Sequence, residues 1–83
     1  MLDIHVKFIA SELVPGLESG EYSVADGVTV RDLLAVCEKQ CGATIPEKNY
    51  KSMYPLFNGK PTQLDSVLTT NGTLHLCRVV MGG

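Results

Sequence analysis

Residues 26–42, DGVTVRDLLAVCEKQCG, decide the fold, because this is where the period of the sequence changes. Val30, Leu33, Leu34, Cys37 and Cys41 recur at helical spacing and draw a single apolar stripe. Thr29 stands three residues before Asp32, close to the reciprocal pairing of side chains and amides that opens a helix. Gly42 follows the last apolar position, where glycine takes the left-handed C-cap conformation most easily. The stretch therefore predicts one helix over 30–41 that buries one side only.

Upstream the period is two. Leu2, Ile4, Val6 and Phe8 share one face and Asp3, His5 and Lys7 the other, the pattern of a half-buried strand. Pro15, Gly16 and Gly20 mark a turn region that leads to Tyr22 and Val24 in register, so the first two strands read as an antiparallel hairpin with a long loop. Downstream, residues 43–53 carry Pro46 and polar side chains without a pattern and read as a surface connection. Residues 54–57, YPLF, run into the tight-turn pair Asn58-Gly59 and then Lys60-Pro61-Thr62. Leu64, Val67 and Leu68 read as a short helical turn, Asn71-Gly72 as another turn, and 73–80, TLHLCRVV, as the closing strand.

One helix can cover one face of a mixed sheet of four or five strands, with the first and last strands side by side in its middle. That is an α+β arrangement. Leu2, Ile4, Val6, Leu33, Leu34, Cys37, Leu74 and Leu76 are the predicted core. The sequence has no internal repeat and no linker, so residues 1–83 are expected to form a single domain.

Composition narrows the function. A net charge of −2 supplies no basic footprint for nucleic acid or anionic lipid. The first residues alternate and include Asp3, unlike a signal peptide, and no apolar run reaches the length of a membrane span. Three cysteines, an odd number, count against a disulfide framework, and the cytoplasm is the expected location. Cys37 and Cys41 lack the C-x2-C spacing of zinc ribbons and redox motifs, and their place on the apolar stripe reads as core. His5 and His75 are expected as neighbours on the central strand pair, but no third ligand accompanies them, and no metal site is expected.

The outward face of the sheet should hold His5, Lys7, His75, Cys77 and Val79, with Phe57 near it. Phe57, His75, Cys77 and Val79 form a candidate partner-binding patch, since apolar side chains on a solvated sheet face mark contact surfaces. Against that stands the ordinary occurrence of single exposed apolar residues.

Taken in order, VTVRDLL at 28–34, LFNGKP at 56–61 and Gly82-Gly83 resemble the β-grasp sulfur carriers. These include the small subunit of molybdopterin synthase and the thiamine-pathway sulfur carrier. Thr73 to Leu76 also stand at the spacing from the double glycine seen in ubiquitin. RVVM at 78–81 departs from the pattern, because the molybdopterin subunit usually carries prolines there. The resemblance implies a ubiquitin-like β-grasp fold and a carrier or cosubstrate, not an enzyme, with no cofactor of its own; it also allows the small subunit of a heteromeric synthase. An E1-like adenylating partner would use ATP to activate the carboxylate of Gly83, and sulfur would then replace AMP to give a thiocarboxylate. The acceptor would be a large synthase subunit or another sulfur acceptor, in molybdopterin or related cofactor biosynthesis. Val80, Met81 and Gly82 would be the tail delivered to the partner, mobile in the free protein; from Val79 to Gly83 the extended chain spans at most about 16–18 Å. Glycines without Cβ atoms let such a tail pass a narrow channel. Two alternatives remain: a ubiquitin-like modifier joined to lysines through Gly83, and a β-grasp binding module that makes no use of its end.

Overall fold

The alternating first segment forms strand β1, Leu2–Phe8, whose even-numbered side chains are all buried. In the computed structural model, which describes residues 1–79, β1 is followed by β2 (Gly20–Val24), helix α1 (Val30–Cys41), β3 (Met53–Phe57), β4 (Lys60–Pro61) and β5 (Gly72–Arg78). Short 3-10 helices occupy Ser11–Leu13 and Glu47–Ser52. The sheet runs β2-β1-β5-β3-β4, so β5 is its central strand. β1 pairs antiparallel with β2 and parallel with β5, while β3 pairs antiparallel with β5 and β4. A mixed five-stranded sheet crossed by one helix is the β-grasp arrangement, as the resemblance implies.

The helix starts and stops where its sequence predicts. Thr29 Oγ1 accepts from the Asp32 amide at 3.1 Å, Asp32 Oδ2 accepts from the Thr29 amide at 3.0 Å, and Gly42 adopts φ 67°. Ile4, Val6, Leu33, Leu34, Cys37 and Leu74 are fully buried, and Leu2 and Leu76 nearly so; every predicted core residue lies in one cluster. Cys41 is the departure on the stripe. It is half-buried at the core margin, where its Sγ accepts from the Glu18 amide at 3.4 Å and meets the Tyr22 hydroxyl at 3.2 Å.

Three connections differ from expectation. Residues 43–53 are more than a surface connection: Ile45 and Met53 are buried in the core, and Met53 already belongs to β3. The short turn expected around Leu64 is a single one, in which the Ser66 amide donates to the Gln63 carbonyl at 3.1 Å, and it goes no further because the carbonyls that follow serve another element. The Leu64 and Ser66 carbonyls accept from the Arg31 and Val30 amides at 2.8 and 3.0 Å, and Val67 bridges Thr29. The loop thus fills the donors that the first turn of α1 would otherwise leave open. Finally, Gly72 opens β5 instead of making a turn. A Cβ there would lie 2.5 Å from Asn58 Oδ1 and 2.7 Å from Phe57 Cζ, so close approach, not backbone freedom, requires the glycine.

Candidate functional site

Helix α1 covers one face of the sheet and leaves the other outward. Strand alternation puts Asp3, His5 and Lys7 of β1 on this outer face, opposite Ser23 and Glu21 of β2 on one side and Thr73 and His75 of β5 on the other. Across β5, Cys77 faces Tyr54 and His75 faces Leu56. The outer face therefore divides along β5. Its β1–β2 half is polar, with the Ser23 hydroxyl donating to Asp3 Oδ1 at 2.8 Å. Its β5–β3 half carries half-buried His75, Cys77 and Leu56 beside Tyr54, which is 44% exposed.

The sequence-derived patch is thus assembled in part. His75 and Cys77 share the outer face, and half-buried Val79 directly follows β5. Phe57 does not join them. It stands opposite Leu74, which faces the helix, and packs against the core. Leu56 takes the position expected of Phe57, and Tyr54 adds a ring that sequence reading missed. His5 is opposite Thr73, not His75, whose partner is Lys7; the two histidines are diagonal neighbours. Among the described residues, no group of three metal-ligating side chains occurs. No helix among them is long and apolar enough to cross a membrane.

The end of β5 is tied down on both sides. Arg78 Nη1 donates to Glu12 Oε1 at 3.0 Å, reaching the first 3-10 helix. The Val79 amide donates to the Ser52 carbonyl at 2.8 Å, at the end of the second. Asn49 Nδ2 donates to the Leu13 carbonyl at 2.8 Å and so links the two 3-10 helices to each other. Nothing periodic in the sequence marks Glu12, Asn49 or Ser52. Val80, Met81, Gly82 and Gly83, the expected delivered tail and reacting residue, lie outside the described residues.

On the helix side, a groove of about 490 Å³ runs between the start of α1 and the β3 edge, floored by Met53, Pro55 and Leu64. The Arg31 guanidinium stacks over the Tyr50 ring at 4.5 Å and meets Glu47 Oε1 at 3.6 Å. Burial pushes the Tyr50 hydroxyl above its usual pKa. The thiols differ in setting. Cys37 is fully enclosed, and burial, with Cys41 nearby, pushes its pKa up to about 12, so it stays a neutral thiol.

No protein-family model matches the chain, and no curated protein matches it in sequence. Solved structures do match. The crystal structure of SAMP1 from Haloferax volcanii superposes at a TM-score of 0.71 with 21% identity, covering 98% of this chain and 99% of that one. A second crystal structure, of small archaeal modifier protein 1 from H. volcanii, gives 0.74 and 20%, with coverage of 96% and 100%. A candidate molybdopterin converting factor, subunit 1, from Pyrococcus furiosus gives 0.66 and 18%, with coverage of 96% and 100%. These likenesses run the full length of each partner and show the fold: a ubiquitin-like β-grasp domain of the kind found in small modifier proteins and molybdopterin converting factor subunits.

Proposed function

We propose that the chain is a sulfur carrier whose working group is the carboxylate of Gly83. A carboxylate oxygen attacks the α-phosphate of ATP in an E1-like partner and pyrophosphate leaves. A hydrosulfide-level nucleophile then attacks the carbonyl carbon, AMP leaves, and a thiocarboxylate remains for transfer in the making of molybdopterin or a related sulfur-containing cofactor. The observation that carries this reading is the pairing of the β-grasp body with Gly82-Gly83 a few residues beyond its central strand. The partner supplies the catalytic groups and the ATP, and this chain is the cosubstrate. The β5–β3 half of the outer face, with Leu56, Tyr54, His75 and Cys77, borders the root of the tail and is the surface that partner would cover.

A second reading, conjugation through Gly83 to lysines of other proteins, is favoured by the likeness to small archaeal modifier protein 1. Both readings need the carboxylate of Gly83; they differ in what receives the activated acyl group. The deciding experiment is carrier-dependent exchange of pyrophosphate into ATP with the cognate activating enzyme. Deleting Gly83 should abolish exchange, and Gly82→Val should impair it, because a β-branched side chain stiffens and widens the tail. Undiminished exchange by the truncated protein would rule out both readings. Intact mass from the native cell then separates them, since a sulfur carrier shows oxygen replaced by sulfur.

A further inference from the structure

We infer that the two 3-10 helices act as a collar that fixes where the delivered segment begins, with Glu12 as a positioning residue acting through Arg78. The inference rests on the sulfur-carrier reading. Central strand β5 is hydrogen-bonded on both sides by β1 and β3, and the collar continues that grip past its last residue. Arg78 is drawn toward Glu12 and the Val79 amide toward the Ser52 carbonyl, while the Asn49 side chain ties one 3-10 helix to the other through Leu13. On the β1 side, the Leu76 carbonyl accepts from both the Ile9 and Ala10 amides, at 3.0 and 3.1 Å, which holds the run into the first 3-10 helix against β5.

Val79 is accordingly tied to the body, and the reach expected from the sequence shortens by one residue. Val80 to Gly83 span at most about 13–14 Å when extended. A reacting centre must come within that distance of Val79, so the activating partner has to seat its cleft against the collar. With so short a tether, the direction in which the chain leaves matters. A displacement of about 1 Å at a reacting group can cost two orders of magnitude in rate. Glu12 and Arg78 are both exposed, so their pairing contributes little to stability and is free to serve aim.

The test compares Glu12→Arg, Arg78→Glu and the double charge swap in carrier-dependent pyrophosphate exchange, with kcat, KM and Tm measured for each and the Gly83-deleted protein as control. Each single variant should lower kcat by about fivefold, the ceiling for one exposed ion pair, with KM and Tm nearly unchanged. The double swap should recover kcat to within about twofold of wild type, the signature of a coupled pair. Wild-type kcat in all three variants would overturn the inference. So would a loss in Arg78→Glu that the double swap fails to rescue, because Arg78 would then touch the partner directly. If the Gly83-deleted protein is silent while the collar variants behave as wild type, the collar alone is wrong. If the deleted protein supports exchange, the sulfur-carrier reading falls and the collar's role with it.

Discussion

Tyr22 gives its hydroxyl proton to the Glu18 carbonyl at 2.5 Å, which leaves the Cys41 thiol to donate to the phenol oxygen and the Glu18 amide to donate to Cys41 Sγ. This ring of three contacts joins the loop before β2 to the last turn of α1, and its bond to the Glu18 carbonyl lasts only while Tyr22 holds its proton. Burial raises the Tyr22 pKa well above its ordinary 10.0 and the hydrogen bond with Cys41 raises it further, while Cys37 rises from 9.0 to about 12. The sign follows from proton counts. Above pH 9 the unfolded chain releases these protons first, and the folded chain keeps them, so the native state binds more protons than the unfolded one. The stability these groups provide is intact below pH 9 and is lost progressively as pH climbs toward 12. Each group contributes a slope of up to about 1.4 kcal/mol per pH unit while it is protonated only in the fold. Tyr50, raised in the same direction, adds to the decline. Urea midpoints measured from pH 8 to 11 should fall, and Tyr22→Phe should flatten the part above pH 10. A level profile would mean that these groups meet water freely.

Helix α1 shows how one element draws its order from sequence and from distant chain alike. Its stripe, its capping box and its glycine stop are local signals, and all three are legible before folding. Thr29→Ala should cost about 1 kcal/mol, since it removes the acceptor for the Asp32 amide, and for a domain of this size that lowers Tm by about 4–8 °C. A thermal melt within a degree of wild type would show the loop carbonyls suffice without the cap. Those carbonyls, from Leu64 and Ser66, were not legible, because a loop that serves another element's amides has no period of its own. Ile45 was missed for a related reason: one apolar residue in a polar stretch carries no phase. Phe57, expected near the outer face, packs against the core instead; Pro55, Leu56 and Phe57 follow one another without alternation, and a shift of one residue exchanges the faces of a strand. The outer-face positions of His75 and Cys77 were readable because Leu74 and Leu76 flank His75 in strict alternation. The collar around Val79 depends on a backbone bond to Ser52, which no side-chain pattern encodes.

At the scale of the molecule, β5 is the strand on which everything else depends. It supplies Leu74 and Leu76 to the core and, among the described residues, is the only strand that joins the β1–β2 hairpin to the β3–β4 hairpin. A chain ending at Asn71 should therefore fail to fold: two separate hairpins cannot bury enough apolar surface to hold together. Circular dichroism of residues 1–71 should show no cooperative thermal transition. A sharp one would mean that β1 and β3 can close the sheet without β5.

The parallel pairing of β1 with β5, Ile4 opposite Gly72 and Phe8 opposite Leu76, also sets the timing of biosynthesis. The ribosome makes β1 well before its partner, and at about 5–20 residues per second the interval is roughly 3–14 s. Through that time Leu2, Ile4, Val6 and Phe8 have only β2 and, once it is made, α1 for company, and β1 keeps a bare edge where β5 will pair. The nascent chain thus has to be kept apart from its neighbours on the polysome until β5 emerges, and native closure of the sheet waits for that strand.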